Sequence, residues 1–180
     1  MSAGKKTLQH PKADENKRRL FRAKIEGYRA DKRPIVYLDE SGFEQDMPRA
    51  YGYSVKGKIA HGIHDWNVKR RTNAIGALLG ASLIAVTLFD CTINTDIFYA
   101  WCKQLLIPVL PANSVIVMDN ASFHKREDIY KLIADAGHQL EFLPPYSPDL
   151  NPIENKWANV KDARQANKCS IDNLFKLHVN

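Results

Sequence analysis

Two short apolar runs that each end on an acid constrain this chain more than any other feature. Ile35-Val36-Tyr37-Leu38 leads directly into Asp39, and Ser114-Val115-Ile116-Val117-Met118 leads directly into Asp119. Apolar, β-branched runs of this length, bounded by turn-forming residues, read as buried strands. A strand that stops at a carboxylate presents the acid at its carboxyl end, and in an α/β sheet that rim is where ligands bind. If the two strands are neighbours, Asp39 and Asp119 converge.

The other elements fill in around these strands. Ala13 to Ala30 carries Leu20, Phe21, Ile25 and Tyr28 at amphipathic spacing and reads as a linker helix ending before Pro34. Thr72 to Leu79 and Leu83 to Phe89 make two further strands joined at Gly80-Ala81-Ser82. Asn94 or Thr95 caps a helix with Ile97, Trp101 and Leu105 on one face, ended by Pro108 and Pro111. A helix from about Lys125 to Ala136 closes at Gly137 and leads to a strand from Gln139 to Phe142. The proline-punctuated loop Leu143 to Leu150 follows, and Asn151-Pro152-Ile153-Glu154 opens the last helix. Early strands in succession, then strands alternating with helices, predict an α/β fold with a five-stranded mixed sheet and flanking helices. There is no internal repeat.

With 180 residues, 44% of them hydrophobic, the chain suffices for one domain with a core. Its net charge of +6 is unevenly spread. Residues 1–33 hold eleven Lys or Arg against four Asp or Glu, whereas residues 34–180 hold fifteen against sixteen. The expected organisation is a basic tail and linker helix over 1–33, suited to phosphate backbones, before a domain over 34–180. A solvated helix face accounts for such charge equally well. Cys91, Cys102 and Cys169 form no CxxC pair, which argues against a disulfide framework and fits a reducing, cytoplasmic compartment. The apolar run Ala74 to Phe89 is too short and too interrupted by Gly76, Gly80 and Ser82 to span a membrane.

Acids brought together without a cation repel and raise one another's pKa, and a divalent metal relieves this. Mg²⁺ takes oxygen ligands, often one or two carboxylates plus substrate phosphates, and a pair of ions stabilises both oxygens of an in-line phosphoryl displacement. Glu154 is the candidate third acid. Each acid also has a purely structural reading. Asp39 or Asp119 alone can be a turn residue, and Asn151, Pro152 and Glu154 fit a helix capping box that needs no catalysis. Glu40 and Asp149 rival the favoured acids, although Asp39 and Glu40 face opposite ways on a strand. His61 and His64, followed by Asp65, lack a second ligand pair for zinc. His124, five residues beyond Asp119, could touch a phosphate or an attacking water, and a surface histidine without a role accounts for it at least as well. No GxSxG elbow, P-loop or GxGxxG occurs.

The segments Val36 to Phe43, Val115 to His124 and Leu143 to Glu154 resemble the three signature blocks of DDE transposases of the Tc/mariner superfamily, in its bacterial insertion-sequence branch. Thirty-four residues separate Asp119 from Glu154, and Pro-Pro-Tyr-Ser-Pro-Asp-Leu-Asn-Pro-Ile-Glu is a highly specific string. The resemblance covers roughly residues 34 to 175. It implies a ribonuclease H-like fold, catalytic and metal-binding roles for Asp39, Asp119 and Glu154, and two Mg²⁺ or Mn²⁺ ions. Metal-activated water then hydrolyses a phosphodiester, and the freed 3′-hydroxyl attacks target DNA without a covalent enzyme intermediate. By position, Arg49, Tyr51, Lys56 and Lys58 lie in a segment that approaches DNA or a partner subunit. His124, Lys125, Lys156 and Lys161 flank ligand segments as candidate DNA contacts, although exposed lysines are commonly only solvated.

The expected partners are double-stranded DNA and either a second copy or a chain supplying a helix-turn-helix domain, because only about 33 residues precede the first strand. The expected setting is the bacterial cytoplasm, at the nucleoid. The competing reading is an inactive transposase fragment that acts as a DNA-binding or assembly partner or inhibitor. A third is a ribonuclease H-type or junction nuclease that does not join strands.

Overall fold

The computed structural model describes residues 11–44, 71–120 and 126–167, together with Ile171 and Phe175. Among these residues five strands form one mixed sheet: β1 (Ile35–Glu44), β2 (Arg71–Leu79), β3 (Ser82–Phe89), β4 (Val115–Met118) and β5 (Gln139–Phe142), in the order β3-β2-β1-β4-β5. β1 pairs antiparallel with β2, and β2 with β3; β4 runs parallel to both β1 and β5. This is the five-stranded mixed sheet expected, with the ribonuclease H-like topology.

Among the described residues, the sheet is covered by the helices α1 (Glu15–Ala30), α2 (Thr95–Trp101), α3 (Glu127–Asp135) and α4 (Pro152–Asn167). Strand alternation divides the core into two clusters. One gathers Tyr37, Phe43, Ala74, Leu78, Val115 and Val117 with Phe21 and Ile25 of α1 and Ile153, Trp157 and Val160 of α4. The other gathers Val36, Leu38, Ile75, Ala77, Ile116 and Met118 with Phe98 and Trp101 of α2 and Ile129 and Ile133 of α3. α1 and α4 therefore share one face and α2 and α3 the other.

Local chemistry explains the boundaries. Asp14 caps α1 through its side chain, accepting from the Asn16 and Lys17 N–H groups. Asn94, rather than Thr95, caps α2, accepting from Ile97 N–H at 2.9 Å. α3 ends before Gly137, which adopts φ +80°, a conformation glycine takes without a Cβ penalty.

Two expectations require correction. β1 does not stop at Asp39 but continues to Glu44, because β2 pairs with it through Glu44↔Arg71. The helix after β3 does not point Ile97, Trp101 and Leu105 inward together. α2 opens into a wider π-type turn over Cys102–Leu106, so Phe98, Trp101, Cys102 and Leu106 are buried while Leu105 is 43% exposed. Among the described residues, no helix is long and apolar enough to cross a membrane.

Candidate active site

β1 and β4 run in parallel with a constant offset, Ile35↔Val115, Val36↔Ile116 and Tyr37↔Val117. Continued by two residues, that offset sets Asp39 beside Asp119, just past the end of β4. Asp39 is thus interior to the long β1 yet stands at the rim of the parallel half. Alternation puts both acids on the side of Tyr37 and Val117, the face that α4 covers.

Glu154 enters from the first turn of α4. The helix begins at Pro152, so Asn151 occupies the cap position and Glu154 the third helical position. Neither arm of the anticipated capping box is closed. Asn151 Oδ1 is buried without a hydrogen-bond partner, and the Asn151 N–H donates to the Pro148 carbonyl at 2.9 Å. The Glu154 carboxylate is therefore not committed to the helix end.

The electrostatics tie the three acids together. Burial, then the charges of Glu154, Glu40 and Asp119, push the Asp39 carboxyl up to about 8, against a partial offset from the Glu40 N–H that it accepts. Glu154 is also raised, by loss of solvent and by Asp119, with Lys161 opposing. Among the described residues, no three histidine, cysteine, aspartate or glutamate side chains are gathered closely enough to hold a metal ion unaided. An all-oxygen set that is mutually repulsive but not closed fits a hard divalent cation, which keeps waters and takes further oxygens from substrate phosphates.

The rival acids are employed elsewhere. Glu40 belongs to the opposite face, where its charge, after burial, helps push the Cys102 thiol up to about 12. Asp149 accepts two hydrogen bonds from the buried Arg18 guanidinium, at 2.8 and 2.7 Å, and this pairing holds its carboxyl below the usual range. The same helix grips β5, where Glu141 accepts from Lys24 Nζ at 2.9 Å and from the Tyr28 hydroxyl at 2.5 Å. α1, anticipated as a linker, thereby clasps the loop that leads into Glu154. Asn120, after Asp119, donates through its side chain to the Leu143 carbonyl, tying the end of β4 to the start of that loop.

Of the anticipated DNA contacts, Lys156 is half-buried and donates to the Ala81 carbonyl at 3.0 Å. Lys161 is exposed, with its Nζ 5.3 Å from the centre of the Phe43 ring. Arg49, Tyr51, Lys56, Lys58, His61, His64, Asp65, His124 and Lys125 lie outside the described residues. Two positions that sequence reasoning did not single out border the acids: Gly76, paired with Asp39 across β1 and β2, and Trp157, one turn beyond Glu154. A glycine inside a strand is the signal that could have found the first, because it marks a bulge or a close approach.

Residues 34–176 match the family model described as DDE superfamily endonuclease. A curated relative, the uncharacterized protein y4pE/y4sA of Sinorhizobium fredii, is 39% identical over 61 residues, which is 34% of this chain and 43% of that protein. The crystal structure of the catalytic domain of Mos1 mariner transposase superposes with a TM-score of 0.64 at 15% identity, covering 95% of this chain and 82% of that one. The Mos1 transposase paired-end complex with left transposon end matches with a TM-score of 0.60 at 16% identity, covering 91% of this chain and 53% of that one. Other matching structures of that transposase contain Mg or Mn. The match thus covers 43% of the curated relative and 53% of the transposase chain in the paired-end complex.

Proposed function

The chain belongs to the DDE superfamily endonucleases, and from that premise we propose that it is the catalytic domain of a transposase of the Tc/mariner type, in the bacterial insertion-sequence branch, acting on double-stranded DNA. Asp39, Asp119 and Glu154 are its catalytic residues and would hold two divalent cations, Mg²⁺ or Mn²⁺. When bound, such a pair supplies Lewis-acid stabilisation to both oxygens of an in-line displacement at phosphorus.

The protein's own residues supply the setting. Asp39 and Asp119 present oxygens side by side from adjacent strands, and Glu154 adds a third carboxylate from a helix whose capping leaves it uncommitted. The sealed apolar sheet beneath fixes the strand ends, so the carboxylates need little reorganisation when substrate arrives. Lys156 and Lys161 on α4, with Arg49, Lys56, Lys58, His124 and Lys125, are proposed to contact the DNA backbone, steering affinity without reading sequence. Hydrolysis of one phosphodiester leaves a 3′-hydroxyl, and attack by that hydroxyl on a second phosphodiester joins the strands. A second copy, or a partner chain bearing a helix-turn-helix domain, would supply recognition of the element's ends, with the reaction taking place at the bacterial nucleoid.

The observation that carries this reading is the parallel register of β1 and β4, whose continuation sets Asp39 beside Asp119, together with the charges of Glu154 and Asp119 acting on Asp39 and of Asp119 acting on Glu154. The related transposase structures with Mg, with Mn and with a transposon end support the same chemistry. The test is incubation of the purified protein with supercoiled plasmid and a labelled linear duplex, with Mg²⁺ or Mn²⁺, beside Asp119→Asn. Metal-dependent nicking that is lost in the variant is expected. DNA binding without cleavage in either metal would instead identify an inactive assembly partner.

A further inference from the structure

We infer that Trp157 and Gly76 form a lock that sets the distance between α4 and the sheet, making both positioning residues for Glu154. This rests on the reading of Glu154 as a member of the acidic site.

Gly76 is Asp39's cross-strand partner on β2. On its other side the pairing of β2 with β3 slips: Ile75 faces Thr87 but Ala77 faces Ile84, so Gly76 stands opposite two residues, Ala85 and Val86. This is a β-bulge, with Ala85 at φ +52° as the strained residue. Gly76 therefore lies between the first acid and a deliberate irregularity in the sheet.

The Trp157 ring fills the space that a side chain at Gly76 would occupy. A Cβ there would lie 2.9 Å from Trp157 Cη2, 3.0 Å from Cζ2 and 3.3 Å from Val86 Cγ2. The ring has no room to retreat, because Phe43 and Phe175 pack edge-on against it at centroid distances of 6.2 Å each, and against one another at 5.6 Å. Trp157 is 3% exposed, and its indole N–H is buried without a hydrogen-bond partner, so shape rather than polarity holds it. Trp157 and Glu154 are three residues apart on α4 and so are neighbours on its surface, Trp157 buried and Glu154 exposed. A methyl group at position 76 must push this segment of α4 away from the sheet and carry Glu154 away from Asp39.

The test uses the full chain and reads Mn²⁺ affinity by calorimetry, well below the unfolding transition, alongside plasmid nicking. Gly76→Ala is expected to weaken Mn²⁺ binding by about tenfold, the low end for residues that orient metal ligands, and to slow nicking in parallel. Trp157→Phe in the Gly76→Ala background vacates the contested space and is expected to recover most of both losses, a coupling that a general loss of stability would not produce. Should Gly76→Ala fail to fold, Trp157→Ala alone is expected to weaken Mn²⁺ binding by a similar factor in the folded protein. Unchanged Mn²⁺ affinity in folded Gly76→Ala or Trp157→Ala, while Glu154→Gln abolishes binding, would overturn the lock and leave the proposed function standing. Unchanged binding in Glu154→Gln would instead remove the site on which both depend.

Discussion

The two faces of the sheet are built from alternate residues of the same strands, yet among the described residues they differ in how fully their buried polar atoms are paired. Under α2 and α3, Val36, Leu38, Ile116 and Met118 are at most 1% exposed, and the Trp101 indole N–H donates to the Ala85 carbonyl at 2.8 Å. Under α1 and α4, the same two strands carry Asp39 and Asp119, and the layer contains an unpartnered Asn151 oxygen and Trp157 N–H. The closed face meets the usual rule that buried polar atoms find partners. The face under α1 and α4 departs from it at Asn151 and Trp157, on the helix that carries Glu154 and at the residue before it.

Substitutions on the two faces should therefore separate stability from activity. The largest effect is expected at the acids. Asp39→Asn, Asp119→Asn or Glu154→Gln should each reduce metal-dependent cleavage by on the order of 10²–10³-fold or more, the scale of losing one preorganised electrostatic group. Asp39→Asn should at the same time stabilise the metal-free protein. Because its folded pKa lies above its unfolded value, Asp39 makes the native state lose stability as pH rises from about 4 towards about 8. Melting in EDTA across that window should show a decline in the wild type that is reduced in Asp39→Asn. The opposite ranking of the two proteins at pH 8 would break the comparison.

On the closed face, Ile116→Ala should cost about 2–5 kcal/mol of unfolding free energy, the range for truncating a buried aliphatic chain, and leave the Mn²⁺ affinity of the folded fraction unchanged. A comparable loss of metal affinity would mean that the faces are not separable. Smaller still is the expectation for Arg18→Ala, about 1–3 kcal/mol, below the range for a fully buried pair because Asp149 is 23% exposed. Since the pair depresses the Asp149 pKa, its contribution is present above the unfolded value near 4 and lost as pH falls through the folded one. Arg18→Ala should accordingly flatten the acid limb of the stability curve. Least disruptive is Lys161→Ala, which should leave melting nearly unchanged and reduce the salt slope of DNA binding by about one.

The parts of the fold that depend on short-range pattern could be read from the residues alone: five strands from their apolar runs, a helix cap at Asn94 or Thr95, and the Gly137 stop. What could not be read depends on pairing between distant segments. β1 looked finished at Leu38 because Asp39-Glu40-Ser41-Gly42 are poor strand formers, and only β2 on its flank keeps them extended. The capping box at Asn151 matched in residue type but not in bonding, because Pro148 already accepts from the Asn151 N–H. Arg18 looked like one charge of a basic helix until Asp149, 131 residues away, claimed it. Gly76 looked like a break in an apolar run, whereas its meaning lies in a tryptophan on a different element.

Asp39 and Glu40 are adjacent acids on opposite faces, so they provide the most direct test of the central claim that the α4 face holds the metal site. Mn²⁺ titration by calorimetry, comparing the wild type, Asp39→Asn and Glu40→Gln, isolates that difference within a single residue step. Binding weakened by at least about tenfold in Asp39→Asn, and near wild-type in Glu40→Gln, is the predicted result. Equal weakening in both, or a loss confined to Glu40→Gln, would contradict it.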